Sequence, residues 1–257
     1  MALFRALRSL VAILACLFFL AVVAPISLYL VVVPWIALQP HRRHEVGLGW
    51  VSLIARFLVA LFRFGGATFK IEGAINCKQP GVVIMNHQSV LEVAPIVYIM
   101  NGLLPRFVAR ARYARGIPTV SRAVGYLECI IIDPRRDRAG AVLALHNAAR
   151  QGLDHCVMLF PEGHRTKDGE IAEFRPAGMT ALLEGRQLPV WTIVSDGYWH
   201  FRKVKDTFFG LGTVRGHMKV VECVTSPENP EDLPAFIEER RQTMIRELAA
   251  MRAEAKN

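Results

Sequence analysis

The sequence predicts an α/β fold, a mixed and largely parallel sheet flanked by helices, preceded by an N-terminal hydrophobic helical segment. Beyond residue 66, short apolar runs alternate with helix-like segments, which is the pattern of strands joined by crossover helices. Between Leu10 and Leu38 there is no charged residue. A chain of 257 residues has room for one large α/β domain. We therefore predict a membrane-anchoring segment over residues 1–66 and an α/β domain over residues 67–257.

The apolar run from Leu10 to Leu38 is predicted to be a membrane element. As one helix it would measure about 43 Å, more than the roughly 30 Å of hydrocarbon in a bilayer. The run continues through Trp35 without a polar region after a cleavage site, so it is not a typical signal peptide. Pro25 and Pro34 each remove a backbone donor, which predicts kinks. A tilted, kinked span and a hairpin that re-enters the same leaflet both fit this pattern.

Charges on the two sides of this run are nearly balanced, with Arg5 and Arg8 before it and Arg42 and Arg43 after it. This balance favours a hairpin whose two ends lie on one side of the membrane. A second apolar segment, from Val46 to Phe64, carries its two arginines seven residues apart and hence on one helical face. It is either an amphipathic helix at the membrane surface or a core-facing helix of the domain.

Seven strands and four further helices are predicted in the α/β part of the chain. The strands are Ala67 to Ile71, Val82 to Met85, Phe107 to Ala109, Leu127 to Ile132, Cys156 to Phe160, Pro189 to Val194 and Met218 to Val224. The helices are Leu91 to Met100, stopped by Asn101 and Gly102, then Ala139 to Ala149, Ala177 to Leu183 and a charged packing helix within Pro230 to Lys256.

Composition indicates a protein that works on an anionic surface. The formal charge is +9 although the mean hydropathy is positive, at +0.29. Basic residues are spread along the chain without a nucleic-acid motif, so membrane lipids are favoured over nucleic acid as partners. The five cysteines lack paired spacing, which predicts reduced residues in a cytosolic compartment and neither disulfides nor a zinc site. They are Cys16, Cys77, Cys129, Cys156 and Cys223.

The segment from Asn86 to Glu92 places a histidine and a carboxylate five positions apart, directly after a predicted buried strand. Two such residues inside one regular helix would point about 140° apart. If His87 instead lies in the turn before the helix, it can fold back to Glu92 in the first turn. A capping role, with Ser89 as the N-cap and Glu92 at the positive helix end, is the alternative interpretation.

Two further predicted strands end in charged residues. Phe160 to Thr166 contains Glu162, Gly163, His164 and Arg165, residue types that let backbone approach a ligand and bind phosphate. Ile132 is followed by Arg135 and Arg136 after Asp133 and Pro134. Each segment alone is explained as a solvated loop. Because ligands gather at the carboxyl ends of parallel strands, the segments together predict a pocket for an anionic substrate beside a general base.

These segments resemble the membrane-associated glycerolipid acyltransferases, which include the 1-acylglycerol-3-phosphate acyltransferases. Asn86 to Glu92 resembles the NHxSxxD motif, and Phe160 to Thr166 resembles the FPEGTRS motif. Gly125 to Arg135 is similar to GxIFIDR, and Leu188 to Val190 resembles the later apolar proline motif. Three departures are evident: Glu92 replaces aspartate, His164 replaces threonine, and Pro134 leaves either Arg135 or Arg136 as the phosphate contact.

The resemblance implies transfer of a fatty acyl group from an acyl-coenzyme A or acyl carrier protein thioester to a lysophospholipid hydroxyl. The most direct product is phosphatidic acid from 1-acylglycerol-3-phosphate; another lysolipid headgroup is the alternative. His87 would be the general base and Glu92 its orienting acid, with Arg135, Arg136, Glu162, Gly163, His164 and Arg165 around the acceptor. No cofactor and no metal are implied. The catalytic domain would face the cytoplasm from the membrane.

Two other classes of function remain open from the sequence. A metal-dependent hydrolase would use His87, Glu92, Glu162 and His164 as ligands, although no HExxH spacing occurs. A lipid-binding protein with little or no catalysis is the other class, because the longer Glu92 side chain could displace the histidine. A misplacement of about 1 Å costs on the order of a hundredfold in rate.

Overall fold

The computed structural model describes residues 2–76, 80–101, 104–150 and 156–255. Cys77, Gly102 and Lys256, on which predictions fall, lie outside the described residues. The strands are β1 Thr68–Glu72, β2 Gly81–Met85, β3 Arg106–Arg110, β4 Ile130–Ile132, β5 Cys156–Leu159, β6 Pro189–Asp196 and β7 Arg215–Thr225. The α-helices are α1 Ala2–Phe18, α2 Ala24–Ser27, α3 Val33–Leu38, α4 Arg43–Phe64, α5 Ile96–Ile99, α6 Pro118–Tyr126, α7 Arg138–Arg150, α8 Pro176–Leu183, α9 Val204–Gly210 and α10 Leu233–Glu254.

The strands form one seven-stranded sheet in the order β1-β7-β6-β2-β5-β3-β4. The five strands from β6 to β4 in this order are parallel to one another. Strand β7 is antiparallel to β6, and β1 is parallel to β7. The predicted mixed, largely parallel sheet is therefore confirmed. Since five strands run in the same direction, their carboxyl ends lie at one edge of the sheet, which is where the site is found.

Strands at the centre of the sheet are apolar throughout because helices cover both of their faces. Every residue of β2 and β5 is buried. Alternate residues enter two separate cores: Val83 and Met85 pack with the N-terminal helices, and Val82 and Ile84 pack with α7, α8 and α10. The first core is continuous from the sheet into the N-terminal segment. The N-terminal segment is thus packed onto the α/β fold.

The N-terminal segment is an antiparallel helical hairpin formed by residues 2–38 and 43–64. Near its open end, Arg8 Nη2 donates to the Phe64 carbonyl at 2.5 Å. Further along, the rings of Phe19 and Phe57 lie 4.3 Å apart. The indole of Trp50 donates to Ser27 Oγ at 3.0 Å. Both arms, Leu3–Leu38 and Pro40–Phe64, are long and apolar enough to cross a membrane by length and composition.

The two prolines of the first arm are each preceded by a wider, π-helical turn. These turns are Phe19–Val23 and Leu28–Val32, and each leads into a short helix with proline in its first turn. In a π-helical turn the carbonyl of Leu20 would accept a hydrogen bond from the backbone N–H of residue 25. That residue is Pro25, which has no N–H. The hydroxyl of Thr119 donates to the Leu20 carbonyl instead, at 2.5 Å. Pro25 therefore sits at a distortion that the α/β part stabilises.

The hairpin lies alongside the α/β part over its whole length. At its open end, Gly212 N donates to Ser9 Oγ at 2.9 Å. At its closed end, His44 Nδ1 lies 3.2 Å from a carboxylate oxygen of Glu128. One face of α4 is buried in the core while leucines and phenylalanines of both arms remain exposed on the outside. Leu30, for example, is 73% exposed.

Helices α7, α8 and α10 agree with the predicted positions. Helices α6 and α9 were not predicted, because their sequences, PTVSRAVGY and VKDTFFG, have only nine and seven residues, too few for a helical period to be evident. The predicted continuous helix from Leu91 to Met100 is wrong. Only Ile96–Ile99 is α-helical, and Asn101 just beyond it adopts a left-handed φ of 53°. The reason lies in the capping of the preceding turn, described below.

The packing of α4 on α6 predicts opposite effects at two neighbouring glycines. A Cβ on Gly47 would lie 2.2 Å from Cδ1 of Tyr126, whereas a Cβ on Gly49 would meet nothing within 4 Å. Both alanine variants gain about 1 kcal/mol of helix propensity. We expect Gly49→Ala to raise the melting temperature. The free energy of unfolding of Gly47→Ala should be about 1–3 kcal/mol lower than that of Gly49→Ala, because an added methyl group at position 47 overpacks the contact with Tyr126. Thermal unfolding in detergent measures both; equal stability would contradict this packing.

Candidate active site

The carboxyl ends of the parallel strands bring the predicted segments together. Asn86 and His87 follow β2, and the loop from Phe160 follows its neighbour β5. On the other side of β2, strand β6 ends at Asp196. Beyond β5, strand β3 ends at Arg110. The ends of these strands therefore lie together, as predicted, and His87 lies between the segments that follow β5 and β6.

The side chains of His87 and Glu92 are in contact through Nδ1 and Oε1. Glu92 is completely buried, whereas the His87 side chain is 21% exposed. Glu92 Oε2 also accepts from the backbone amides of Gln88 at 3.1 Å and Ser89 at 3.2 Å. Because Nδ1 is occupied, Nε2 is the ring nitrogen left for chemistry. The arrangement has the geometry of a base oriented by an acid.

The contact forms because the chain after Ser89 enters a short 3₁₀ turn, Val90–Glu92, and not an α-helix. Ser89 is the N-cap: its hydroxyl accepts from Leu91 N at 3.2 Å, and Glu92 completes a capping box by returning to the Ser89 amide. The capping and orienting roles, alternatives from the sequence, are performed by the same carboxylate. The extra methylene of glutamate, compared with aspartate, spans this turn.

The side chain of Glu162 stabilises the turn that contains His87. It is 1% exposed, and its two carboxylate oxygens accept from His87 N at 2.8 Å and Ala172 N at 2.9 Å. Burial raises the pKa of this carboxyl, against the lowering effect of the two backbone amides and of His87. The sequence predicts Glu162 beside the acceptor. In the structure its carboxylate points inward and joins two loops.

The loop after β5 makes two further contacts with His87. The rings of Phe160 and His87 are stacked with centroids 4.0 Å apart. Thr166 N donates to the His87 carbonyl at 2.8 Å. The histidine is therefore fixed at its backbone amide, its backbone carbonyl and one ring face. This leaves the imidazole little rotational freedom.

Gly163, His164 and Arg165 occupy the outer part of this loop. Gly163 has a left-handed φ of 68°, and a Cβ there would lie 3.0 Å from Cδ of Arg175. His164 is exposed. The guanidinium of Arg165 donates to the backbone carbonyl of Arg202. Of the three, Gly163 is the residue that brings backbone close to a cluster of arginines.

That arginine cluster is a feature that sequence reasoning missed in part. Arg110 Nη2 donates to the Gly163 carbonyl at 2.7 Å. Burial and the nearby charges of Arg135, Arg112 and Arg175 lower the pKa of Arg110. The prediction of Arg135 is consistent with this placement; Arg136, like Arg135, is exposed. Arg110 directly follows the predicted strand from Phe107 to Ala109, so the strand-end argument could have found it, but Arg175 becomes adjacent only through folding.

Polar side chains of the turn connect it to β6. Asn86 Nδ2 donates to the Ser195 carbonyl at 2.8 Å, and Ser195 N donates to Asn86 Oδ1 at 2.7 Å. Gln88 Nε2 donates to Asp196 Oδ1 at 3.1 Å. Arg252 from α10 donates to both oxygens of Asp196, at 3.0 and 3.2 Å. The C-terminal helix therefore supports the catalytic turn through one carboxylate.

The pKa of Asp196 reflects this support. Burial by itself raises it, but hydrogen bonds from Arg252, Gln88 and the Gly197 amide outweigh burial, and the pKa is lowered from its usual value. A lowered folded-state pKa stabilises the fold above the carboxyl's unfolded pKa, and this stabilisation is lost as the pH falls through the folded value. Asp196 is thus charged when the site is assembled at neutral pH.

Among the residues that the structure describes, no three His, Cys, Asp or Glu side chains lie close enough to hold a metal ion. Glu92 and Glu162, two of the four ligands considered for a metal-dependent hydrolase, both accept backbone amides. The carboxylates of this site are therefore committed to holding the histidine turn.

Residues 68–196 match the family model described as Acyltransferase. The chain belongs to this family. A relative from Bos taurus, 1-acyl-sn-glycerol-3-phosphate acyltransferase alpha, is 30% identical over 186 residues, which are 70% of this chain and 62% of the relative. The 1-acyl-sn-glycerol-3-phosphate acyltransferase of Pseudomonas aeruginosa is 32% identical over 155 residues, 56% of each protein. The chain thus covers less than two thirds of the length of these relatives.

A solved structure agrees over nearly the full chain. The crystal structure of the 1-acyl-sn-glycerophosphate acyltransferase from Thermotoga maritima covers 97% of this chain, which covers 98% of that one. The TM-score is 0.68 at 21% sequence identity. At this identity the likeness establishes the fold. With the family match and the relatives, it places the chain among the glycerolipid acyltransferases.

The NHxSxxD motif has aspartate at the position of Glu92, and the geometry of Glu92 predicts the effect of that substitution. Glu92→Asp shortens the side chain and withdraws the carboxylate from His87 and from the amides of Gln88 and Ser89. We expect acyl transfer to fall about a hundredfold, the cost of a displacement near 1 Å. Initial rates of thioester cleavage measure this, with Glu228→Asp, an exposed glutamate, as the matched control. A variant more active than the natural chain would show that Glu92 impairs the site.

Proposed function

We propose that this protein transfers a fatty acyl group from a thioester to the hydroxyl of a lysophospholipid, with His87 as the general base. The single observation that carries the proposal is the contact between His87 and the buried carboxylate of Glu92 at the edge of the sheet. Family membership supports the reaction class. The relatives are 1-acyl-sn-glycerol-3-phosphate acyltransferases, which supports 1-acylglycerol-3-phosphate as acceptor and phosphatidic acid as product.

In the proposed mechanism, the acceptor is itself the nucleophile. Its hydroxyl oxygen attacks the carbonyl carbon of the thioester while Nε2 of His87 takes the hydroxyl proton. The new C–O bond forms, the C–S bond breaks, and the imidazolium returns the proton to the departing thiolate. General base catalysis of this kind contributes about a hundred- to ten-thousandfold. Glu92 stabilises the imidazolium and keeps Nε2 directed outward.

The arginine cluster supports an acceptor that carries a phosphate. Arg110, Arg135 and Arg175 surround Gly163 on the loop that also holds His87. Bringing like charges together is unfavourable unless an anion joins them, and guanidinium groups match phosphate oxygens in pairs. Of the other predicted contacts, His164 and Arg165 lie on the same loop as Gly163, and Arg136 follows Arg135 after β4. A phosphate bound here would place the acceptor next to the histidine.

A lysolipid panel tests the proposal. The full chain in detergent, given acyl-coenzyme A or acyl carrier protein thioester, should release thiol most rapidly with 1-acylglycerol-3-phosphate and form phosphatidic acid. His87→Ala should lower kcat about a hundred- to ten-thousandfold, because the base is removed. His146→Ala, on α7, is the matched control and should remain active.

Two results would contradict the proposal in different ways. Equal activity of the natural chain and His87→Ala would show that His87 is not the base. No turnover with any lysolipid and either donor would favour a lipid-binding protein without catalysis.

We further propose that the hairpin inserts into one leaflet by its outer face, with the catalytic domain on the cytoplasmic side. The α/β part contacts both ends of the hairpin, at Ser9 and at His44, so a perpendicular span would draw polar surface into the bilayer. The side of the hairpin that faces away from the α/β part is rich in exposed leucine and phenylalanine. The scattered cysteines of the sequence indicate a cytosolic compartment for the domain.

Vesicle flotation tests this mode of binding. Leu30→Glu places a charge on the outer face of the hairpin, at a cost of about 2–3 kcal/mol if it reaches hydrocarbon. We expect less of this variant to float with vesicles than of the natural chain. Leu143→Glu alters an exposed leucine of α7, which is 57% exposed and outside the hairpin, and should leave flotation unchanged. Equal loss from both variants would contradict the hairpin as the membrane face.

A further inference from the structure

A second basic region surrounds an open cavity of about 350 Å³. Its cations are Lys167, Arg202, Lys203 and Lys205, and its rings are those of Trp199 and His200. None of these belongs to the arginine cluster around Gly163. The volume is within the range of small-molecule and cofactor sites. The molecule therefore carries two separate basic regions, one around this cavity and one near Gly163.

The cations of this cavity have no ionic partner within the part of the chain that the structure describes. The one carboxylate in the lining, Asp206, accepts from the backbone amide of Lys203 at 2.9 Å. By contrast, Lys219 and Arg252 each contact a carboxylate. A concave surface with unpaired charge of one sign concentrates counter-ions. This cavity thus attracts polyanions.

The cavity is attached directly to the catalytic turn. Ser89, two residues after His87, donates its hydroxyl to the Phe201 carbonyl at 2.6 Å. The Arg165 guanidinium donates to the next carbonyl of the same segment, that of Arg202. Trp199 lies against Gly169, where a Cβ would be 2.9 Å from the indole nitrogen. The segment 199–203 therefore joins the two loops that position the histidine.

The proposed reaction brings together two anionic substrates at one histidine. The acceptor phosphate is close to its hydroxyl and matches the arginine cluster near Gly163. In a coenzyme A thioester, the pantetheine arm separates the reacting carbonyl from the phosphates. Those phosphates must therefore bind at a distance from His87, on basic surface that the arm can reach. The second basic region meets this requirement.

We propose that this cavity binds the 3′-phosphorylated adenosine diphosphate end of an acyl-coenzyme A donor. The assignment rests on the proposed acyltransferase function. Lys203, Lys205, Lys167 and Arg202 contact the phosphates, and the rings of Trp199 and His200 provide an aromatic wall for adenine.

Three donors with the same acyl thioester test the assignment: acyl-coenzyme A, its 3′-dephospho analogue and acyl-pantetheine. In Lys203→Gln with Lys205→Gln, we expect the KM for acyl-coenzyme A to rise about tenfold relative to that for acyl-pantetheine, with a smaller rise for the dephospho analogue. The effect should shrink at high salt, because these lysines are exposed. Arg138→Gln with Arg246→Gln removes two exposed cations elsewhere and is the matched control.

The outcomes separate this assignment from the proposed function. Equal KM changes for all three donors, or an equal effect in the control, would overturn the assignment while leaving the acyltransferase intact. So would a KM change confined to acyl carrier protein thioesters, or a loss of binding to anionic vesicles without a change in KM. If the chain has no turnover, calorimetry with coenzyme A decides: binding that the double variant weakens supports the site, and no binding to the natural chain overturns it.

Discussion

The carboxylate of Glu92 is the group on which the site depends. Burying a carboxylate is costly unless hydrogen bonds replace its water, and most of these bonds come from the turn that Glu92 stabilises, with Ser195 Oγ of β6 as a further donor at 3.4 Å. Glu92 accepts from Gln88 and Ser89 and contacts His87, so the turn must be closed for the group to be tolerated. The same bonds that satisfy the carboxylate fix the imidazole. Local folding and catalytic geometry are therefore one requirement.

The surrounding structure makes this closed turn rigid. Asn86 and Gln88 of the turn form hydrogen bonds with strand β6. Glu162 and Thr166, on the loop after β5, form hydrogen bonds with the backbone of His87. Because β2 lies between β5 and β6, the histidine turn is supported from both sides.

The hairpin and the site are linked through α9. This short helix packs against α1 on one side, and its Lys205 and Asp206 line the second basic cavity on the other. The hairpin also shares the apolar core on one face of the sheet with Val83, Met85 and Met158. The hairpin, α9 and the sheet are therefore packed into one connected body.

The sequence by itself determined the sheet, since seven apolar runs of strand length are recorded locally in residue type and spacing. It also indicated which strand ends carry polar and charged residues, and it allowed His87 to be placed in a turn, where the structure has it. Only the tertiary structure showed that Val90–Glu92 forms a 3₁₀ turn, in which the local capping box is accompanied by a hydrogen bond from Ser89 to Phe201, a residue 112 positions away. It likewise revealed Arg175 beside Gly163, the inward direction of Glu162, and the hairpin lying along the domain. Each of these is set by contacts between residues distant in sequence, for which periodicity and composition carry no signal.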